Sequence, residues 1–336
     1  MNLLTRLYSG LSGMERAFFQ RFPFLVHRPL GKVISVGNLT VGGTGKTPVL
    51  LALLGDSKRS PKTVVLTRGY RSPWERGFYV VQGEGPHPTT LTDETLLVNR
   101  EFPDIPILVG KNRAHAAKMA QHFFAPECYF LDDGFQYRRL KKDVDLVLWD
   151  STKDPFTARL LPEGRLREPF ERLRDASLLL LTRCEQSSEE KRGGIHRFFE
   201  KRFPELKRLE LETHVSGWVD PEGKMISPDK GPMRCWCFCA IGAPETFFQQ
   251  VQSLGAYVRG KHVFRDHSHV SRGDLEELAR AARTTQSMLV CTEKDLIKLS
   301  PETVQNLGIY SLKISVRMRN GADLGSGLRD HGIFLY

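Results

Sequence analysis

The chain has 336 residues, 40% of them hydrophobic and 26% charged, the balance of a folded globular protein with length for one large domain or two smaller ones. Its formal net charge of +10 suits nucleic acid, an anionic membrane face or a phosphorylated substrate, and charge alone does not choose among them. No run of 18 apolar residues occurs, which excludes a simple spanning helix, and without a signal-peptide pattern the six scattered cysteines point to a reducing compartment rather than a disulfide scaffold.

Residues 2–22 predict an amphipathic helix. Leu3, Leu4, Leu7, Tyr8, Leu11, Met14, Phe18 and Phe19 recur at steps of three and four, with Arg6, Arg16 and Arg21 among them. Gly10 and Gly13 weaken the helix and Pro23 ends it. Two readings fit the pattern: a helix lying in a membrane interface, or one packed on the protein's own core.

From Val33 to Asn38 an apolar, β-branched run leads into Leu39-Thr40-Val41-Gly42-Gly43-Thr44-Gly45-Lys46-Thr47-Pro48 and then the helical run Val49–Leu54. Strand, glycine-rich loop and helix are the setting of a phosphate-binding P-loop. The backbone N–H groups of Thr40, Val41, Gly42, Gly43, Thr44 and Gly45 would turn toward phosphate oxygens, helped by the positive end of the helix. Lys46 would reach the β- and γ-phosphates of a nucleotide and Thr47 would offer its hydroxyl to Mg²⁺. The strict pattern wants glycine where Thr40 stands.

A short strand, Thr63–Leu66, ends in Thr67-Arg68-Gly69-Tyr70, at the carboxyl end where α/β proteins place ligands. Residues 71–90 are rich in Gly, Pro and polar residues and predict a loop. Asp93-Glu94 opens a helix, and acids in a first turn complement its dipole. The strand Ile105–Val109 leads through Gly110-Lys111-Asn112-Arg113 into an alanine-rich helix ending at Phe124. Cys128 to Gln136 then describes a Walker B strand, four apolar residues running into Asp132 and Asp133, whose carboxylates would hold Mg²⁺ directly or through water. Two adjacent acids repel unless a cation or solvent compensates. Arg138, Arg139, Lys141 and Lys142 form either a surface basic patch or a contact to phosphate or lipid headgroup.

Further strands are predicted at Val144–Asp150 and Ala176–Thr182, with a loop at Leu160–Pro169, a helix at Phe170–Arg174 and a charged helix at Glu185–Phe203. Gly217–Lys224 reads as a hairpin-like linker. Beyond it the α/β rhythm restarts: strands at Trp236–Ile241, Tyr257–Val263 and Ser287–Thr292, helices reaching Leu254 and spanning Ser271–Ala282, and a last strand at 309–318. Cys235, Cys237 and Cys239 share one face of their strand and read as buried apolar side chains, because zinc sites use wider spacing. The predicted fold is α/β: a P-loop NTPase core with a mostly parallel sheet over residues 1–215, and a smaller α/β domain over 216–308 joined by a β-ribbon. Residues 309–336 return to the linker and core.

The string Val36–Pro48 closely resembles the lipid A 4′-kinases (tetraacyldisaccharide 4′-kinases). Further motifs follow in that family's order: Thr67-Arg68-Gly69-Tyr70, Asp93-Glu94, Arg113, Asp132-Asp133-Gly134-Phe135-Gln136, Leu161-Pro162-Glu163-Gly164-Arg165-Leu166-Arg167-Glu168-Pro169, Asp266-His267 and Thr292-Glu293-Lys294-Asp295. The resemblance implies transfer of the γ-phosphate of ATP, with Mg²⁺, to the 4′-hydroxyl of the tetraacyldisaccharide 1-phosphate precursor of lipid A. It implies a peripheral protein on the cytoplasmic face of the inner membrane, with ATP and the sugar head in an interdomain cleft, and it favours the interface reading of the N-terminal helix. It assigns Asp93 as the base, His267 as the group that orients it, and Lys46 and Arg167 as balance for phosphate charge. Thr47, Asp132, Asp133 and Glu168 would surround the metal. Tyr137 stands where the family has histidine, so any role of that imidazole does not carry over. The alternative is a P-loop nucleotide switch acting through protein partners. Against it, Thr292-Glu293-Lys294-Asp295 has the wrong order for guanine recognition, and Val41 stands where partitioning ATPases carry lysine. No aromatic-basic RNA module is apparent.

Overall fold

The structure, a computed structural model, describes residues 3–57, 62–70, 72–75, 77–83, 91–265, 268 and 270–335. The chain forms two compact units, residues 1–213 with 316–336, and residues 214–315. The pattern of the sequence predicts the two junctions at 215/216 and 308/309.

The larger unit contains β1 (Lys32–Asn38), β2 (Thr63–Thr67), β3 (Tyr79–Val81), β4 (Ile107–Val109), β5 (Cys128–Asp132), β6 (Val144–Asp150), β7 (Leu178–Thr182) and the start of β8 (Arg208–Val219). Their order is β8-β7-β6-β1-β5-β2-β4-β3. All of these pairings are parallel except β3 on β4. Parallel strands covered on both faces read as unbroken apolar runs, and β2 and β7 are buried at every position. Helices α1 (Leu3–Arg21), α2 (Lys46–Ser57), α3 (Asp93–Glu101), α4 (Arg113–Phe124) and α5 (Glu189–Arg202) accompany this sheet.

Alternation along each strand sorts the core into layers. Cys128 and Phe130 of β5 join a cluster with Val49, Leu50 and Leu53 of α2, while Tyr129 and Leu131 join Ala116, Ala117 and Ala120 of α4. On β7, Leu179 and Leu181 pack with Phe198 and Phe199 of α5, and Leu178 and Leu180 turn to the α2 layer. Each fully buried side chain of this size contributes roughly 1.5–3 kcal/mol. From β1 the chain winds first toward β2 and later, through β6 and β7, toward the other side, so β1 lies between β5 and β6. That reversal is the topological switch point where open α/β sheets bind ligands outside the carboxyl ends of their strands. The ends gathered there are Asn38, Thr67, Asp132, Asp150 and Thr182.

Two local expectations need correction. The span 71–90 is not all loop: Tyr79–Val81 forms β3, an edge strand held by antiparallel pairing to β4. Three residues are too few for periodicity to reveal. The helix at Phe170 is a tight 3₁₀ segment, Phe170–Asp175, set by the preceding Pro169 in an extended conformation.

In the smaller unit, β9 (Met225–Ile226) pairs antiparallel with β8. Next come β10 (Arg234–Cys239), β11 (Tyr257–Val263), β12 (Met288–Thr292) and β13 (Ile309–Met318), ordered β11-β10-β12-β13-β8. Helices α6 (Pro244–Ser253) and α7 (Arg272–Thr284) cover its two core layers. Cys235, Cys237 and Cys239 are fully buried on one face with Phe247 and Phe248. Burial pushes the Cys239 thiol up to about 11.

Candidate active site

The loop between β1 and α2 is shaped by two glycines in the left-handed region, Gly42 (φ 101°) and Gly45 (φ 84°). A Cβ at Gly42 would also run into the Arg165 guanidinium. Thr40 departs from the P-loop pattern for a structural reason. It forms an antiparallel bridge with Leu166, and the flanking rungs are Val41 N–H to Arg165 O (2.8 Å) and Arg167 N–H to Leu39 O (2.7 Å). The loop therefore begins as one side of a small ribbon, where threonine serves and glycine is not required. Arg165 Nη2 adds a donor to the Val41 carbonyl at 3.1 Å.

Further along, Thr44 is held from both sides. Asn38 Nδ2 donates to its hydroxyl at 2.7 Å, and Thr182 Oγ1 donates to its carbonyl at 2.9 Å. Gln136 Nε2 fixes the Asn38 carbonyl at 2.8 Å. Helix α2 starts at Lys46, so its free N–H groups and dipole point into the loop.

The charged groups meet at Asp133. Arg167 grips it with two parallel hydrogen bonds of 2.7 Å, and Lys46 Nζ lies 3.4 Å from Oδ1. Arg167 Nη2 also donates to Asn38 Oδ1. Burial alone would raise the Asp133 carboxyl, but the hydrogen bonds from Arg167 and the charge of Lys46 hold it well below the usual carboxylate range. Its neighbour behaves oppositely. Burial and the charge of Asp133 push Asp132 up to about 6, against the weaker pull of Lys46 and a 3.1 Å hydrogen bond from Thr67. A small pocket joins Thr47, Thr67, Glu94 and Asp132 over a floor of Leu50 and Val65.

This donor set suits a magnesium ion. Hydroxyl and carboxylate oxygens are hard ligands, and Asp132, pushed up by burial first and by the charge of Asp133 second, is a carboxyl that a divalent cation would hold ionised. Among the described residues no group of three or more His, Cys, Asp or Glu side chains converges as a metal cage. Mg²⁺ needs none, since it commonly takes one or two carboxylates and completes its shell with water and substrate phosphate.

Other predicted residues take up positions of their own. Glu168 is 2% exposed, and its oxygens meet Arg138 and, at 3.0 Å, Arg172, so it does not join Asp132 and Asp133 in an acid cluster. A carboxylate so deeply buried needs cationic partners, and two arginines supply them. The basic run after Gln136 is accordingly no uniform surface patch: Arg138 serves Glu168, and Lys142 pairs with the buried Asp145. Arg113, also buried, lies over the Tyr137 ring with its guanidinium carbon 4.0 Å from the centroid. The Tyr137 hydroxyl in turn accepts the Ala114 N–H at 2.9 Å and so caps the first turn of α4. Asp93 is the first residue of α3, behind the Thr92 cap, and is half-buried. His267 and Asp266 lie outside the described residues.

Helix α1 presents two faces. At 100° per residue Thr5, Tyr8, Arg16 and Phe19 fall on one side and Met14 and Phe18 on the other. Thr5 is buried, Tyr8 OH donates to the Arg167 carbonyl at 2.8 Å, Arg16 reaches Asp175 at 3.4 Å, and Arg139 lies over the Phe19 ring. Met14 and Phe18 are 70% and 47% exposed, and Phe24 beyond the helix is 79% exposed. Sequence reasoning gave no site role to Asn38, Thr67, Thr182 or Tyr8. Asn38 and Thr67 lie inside strings that resemble the family, Val36–Pro48 and Thr67-Arg68-Gly69-Tyr70, whereas Thr182 and Tyr8 have no motif signal of their own.

A glycine-rich loop opening α2 at the switch point of a parallel sheet, faced by Lys46, Arg167 and an acid pair, defines a P-loop α/β protein of the phosphoryl-transfer class. The model of the tetraacyldisaccharide-1-P 4′-kinase family matches residues 1–331. Among curated relatives, the tetraacyldisaccharide 4′-kinase of Koribacter versatilis is 34% identical over 95% of both chains. That of Syntrophus aciditrophicus is 34% identical over 91% of this chain and 85% of its own, and that of Halothermothrix orenii 29% over 96% and 90%. The fold is similar to the crystal structure of LpxK from Aquifex aeolicus in complex with ATP, with a TM-score of 0.71 and 23% identity, covering 98% of this chain and 96% of that one. The chain belongs to the tetraacyldisaccharide 4′-kinase family.

Proposed function

We propose that this chain transfers the γ-phosphate of ATP to the 4′-hydroxyl of the tetraacyldisaccharide 1-phosphate precursor of lipid A. The observation that carries this reading is the sharing of Asp133 by Lys46 and Arg167 at the mouth of the P-loop, in a chain of this family. Phosphoryl transfer proceeds through a loose transition state, so the protein's work is positioning and charge neutralisation. The loop from Thr40 to Thr47 cradles the phosphates with backbone N–H groups. Lys46 and Arg167 neutralise the transferring group, with Asp133 keeping both cations in place beforehand. Thr47 with Asp132 or Asp133 would hold Mg²⁺, which would supply further positive charge to offset that of the phosphates. Glu168 supports Arg138 and Arg172. Asp93 accepts the proton of the 4′-hydroxyl, and the family resemblance assigns His267 to assist it.

The substrate's acyl chains call for a lipid surface. No helix among the described residues is long and apolar enough to cross a membrane. The exposed Met14, Phe18 and Phe24, with Arg21 beside them, favour peripheral attachment by α1 and the segment after it, on the cytoplasmic face where ATP is supplied. The test is ATP-dependent phosphate transfer to the tetraacyldisaccharide 1-phosphate in mixed micelles, followed by mass spectrometry of the lipid. A bisphosphorylated lipid supports the reading. ATP hydrolysis with no phosphorylated lipid would support the nucleotide-switch alternative instead.

A further inference from the structure

We propose that Tyr8 is a positioning residue for Arg167, so that the helix carrying the exposed apolar face also sets the register of the arginine at the P-loop. The inference rests on the kinase reading for its kinetic part and on geometry alone for its structural part.

The peptide units on either side of the Arg167 side chain are held by two different elements. The Arg167 N–H donates to Leu39 O at 2.7 Å, which ties it to the limb leading into the loop. The Arg167 carbonyl accepts the Tyr8 hydroxyl at 2.8 Å, across 159 residues of sequence. With its backbone gripped on both sides, the side chain makes its two-point contact with Asp133 and its bond to Asn38. Removing the Tyr8 hydroxyl leaves the carbonyl side of that peptide without this partner. The same helix face makes a second tie to the same stretch of chain. Arg16 binds Asp175, Asp175 binds Arg172, and Arg172 binds Glu168, the residue after Arg167. The segment from Arg167 to Asp175 is thus fastened to α1 at both ends. Burial keeps the Tyr8 phenol raised above its ordinary range, so it remains a donor wherever the enzyme works.

The opposite face of α1 carries Met14 and Phe18 in the open. A force that seats this face at a lipid surface acts on a helix that is already bonded to Arg167. Contact with lipid and the alignment of the phosphate-facing arginine become one mechanical unit.

The test uses the full chain with Tyr8→Phe, which keeps the ring and removes only the hydroxyl. Steady-state kinetics in mixed micelles should show kcat lowered roughly 3- to 10-fold, the range expected for one neutral hydrogen bond, with KM for ATP within about twofold. Flotation with anionic vesicles should be unchanged. In an Arg167→Ala background the Tyr8→Phe change should cost nothing further, because the group it positions is gone. Hydrogen–deuterium exchange of the peptide spanning residues 165–169 should accelerate in Tyr8→Phe whatever the activity. Unchanged exchange overturns the assignment. Equal losses of kcat in both backgrounds would also overturn it, by showing that Tyr8 merely anchors a helix. If the wild type phosphorylates no lipid, the kinase reading fails, and the exchange measurement still decides the Tyr8–Arg167 link.

Discussion

Arg167 and Asp133 meet fork to fork, Nη1 on Oδ2 and Nη2 on Oδ1, both at 2.7 Å. Two parallel charge-assisted bonds fix direction as well as distance, and a lysine ammonium cannot reproduce them. Arg167→Ala should lower kcat on the order of 10²–10³-fold, the usual loss for one electrostatic contact in the transition state. Arg167→Lys should recover only part of it, although the charge is kept. Steady-state kinetics on the two variants checks this, and full activity in the lysine variant would show that charge without geometry suffices.

Asp132 and Asp133 should shift stability in opposite senses. Asp132 is pushed up to about 6, so between the ordinary carboxylate value near 4 and about 6 the native state keeps a proton that the unfolded chain has released. Its contribution to stability therefore falls as pH rises through that window. With a chelator present, Asp132→Asn should raise the Tm by a few degrees at pH 8, and the gain should fade near pH 4. Asp133 is held below the usual range, so its charge stabilises the fold above the ordinary value and the benefit is lost as pH falls through the lower, folded one. Asp133→Asn should lower the Tm at pH 8. Thermal melts from pH 4 to 8 check both signs, and shifts of the same sign would refute the assignment.

Met14 and Phe18 face outward on α1, away from Tyr8 and Arg16. Replacing both with aspartate should release the protein from anionic vesicles while leaving its Tm within a degree or two, since neither side chain is part of the core. Flotation and melting measured on one preparation separate the outcomes. Loss of Tm with retained flotation would assign this face to folding.

Asp93 opens α3 behind a threonine cap, half-buried at the helix start, where a carboxylate can be reached from solvent. Asp93→Asn should lose roughly 10²–10⁴-fold in kcat if it is the general base, with nucleotide binding little changed. His267→Ala should reduce kcat in the same direction. Kinetics combined with a separate measurement of nucleotide affinity checks this. A loss confined to affinity would move Asp93 to the nucleotide.

Much of this architecture is legible in the sequence because its signals are local. The run Val33–Asn38 into Gly42–Thr47 declares strand, loop and helix within 15 consecutive positions, and Asp132-Asp133 declares itself by ending an apolar strand. What is not legible depends on pairs distant in sequence. Asn38 meets Arg167 from 129 residues away, and Thr182 meets Thr44 from 138 residues away. Arg138 and Lys142 look like solvated surface because a basic side chain carries no mark of the buried carboxylate it serves. Thr40 looks like a defect in the loop because its partner, Leu166, belongs to a different motif.

The short ribbon that joins residues 39–41 to residues 165–167 has a consequence for how this chain tolerates change. Val41 and Arg165 are 124 positions apart, yet they face each other on one rung. The spacing between phosphate loop and arginine is therefore independent of the length of the connections that lie between them. Exposed loops outside the ribbon and its neighbouring motifs, such as the one through Lys153 and Asp154, can grow, shrink or drift without resetting that spacing. Sequence variation in those loops is insulated from the chemistry, and an insertion there is a safer place to attach a probe than any position within the ribbon.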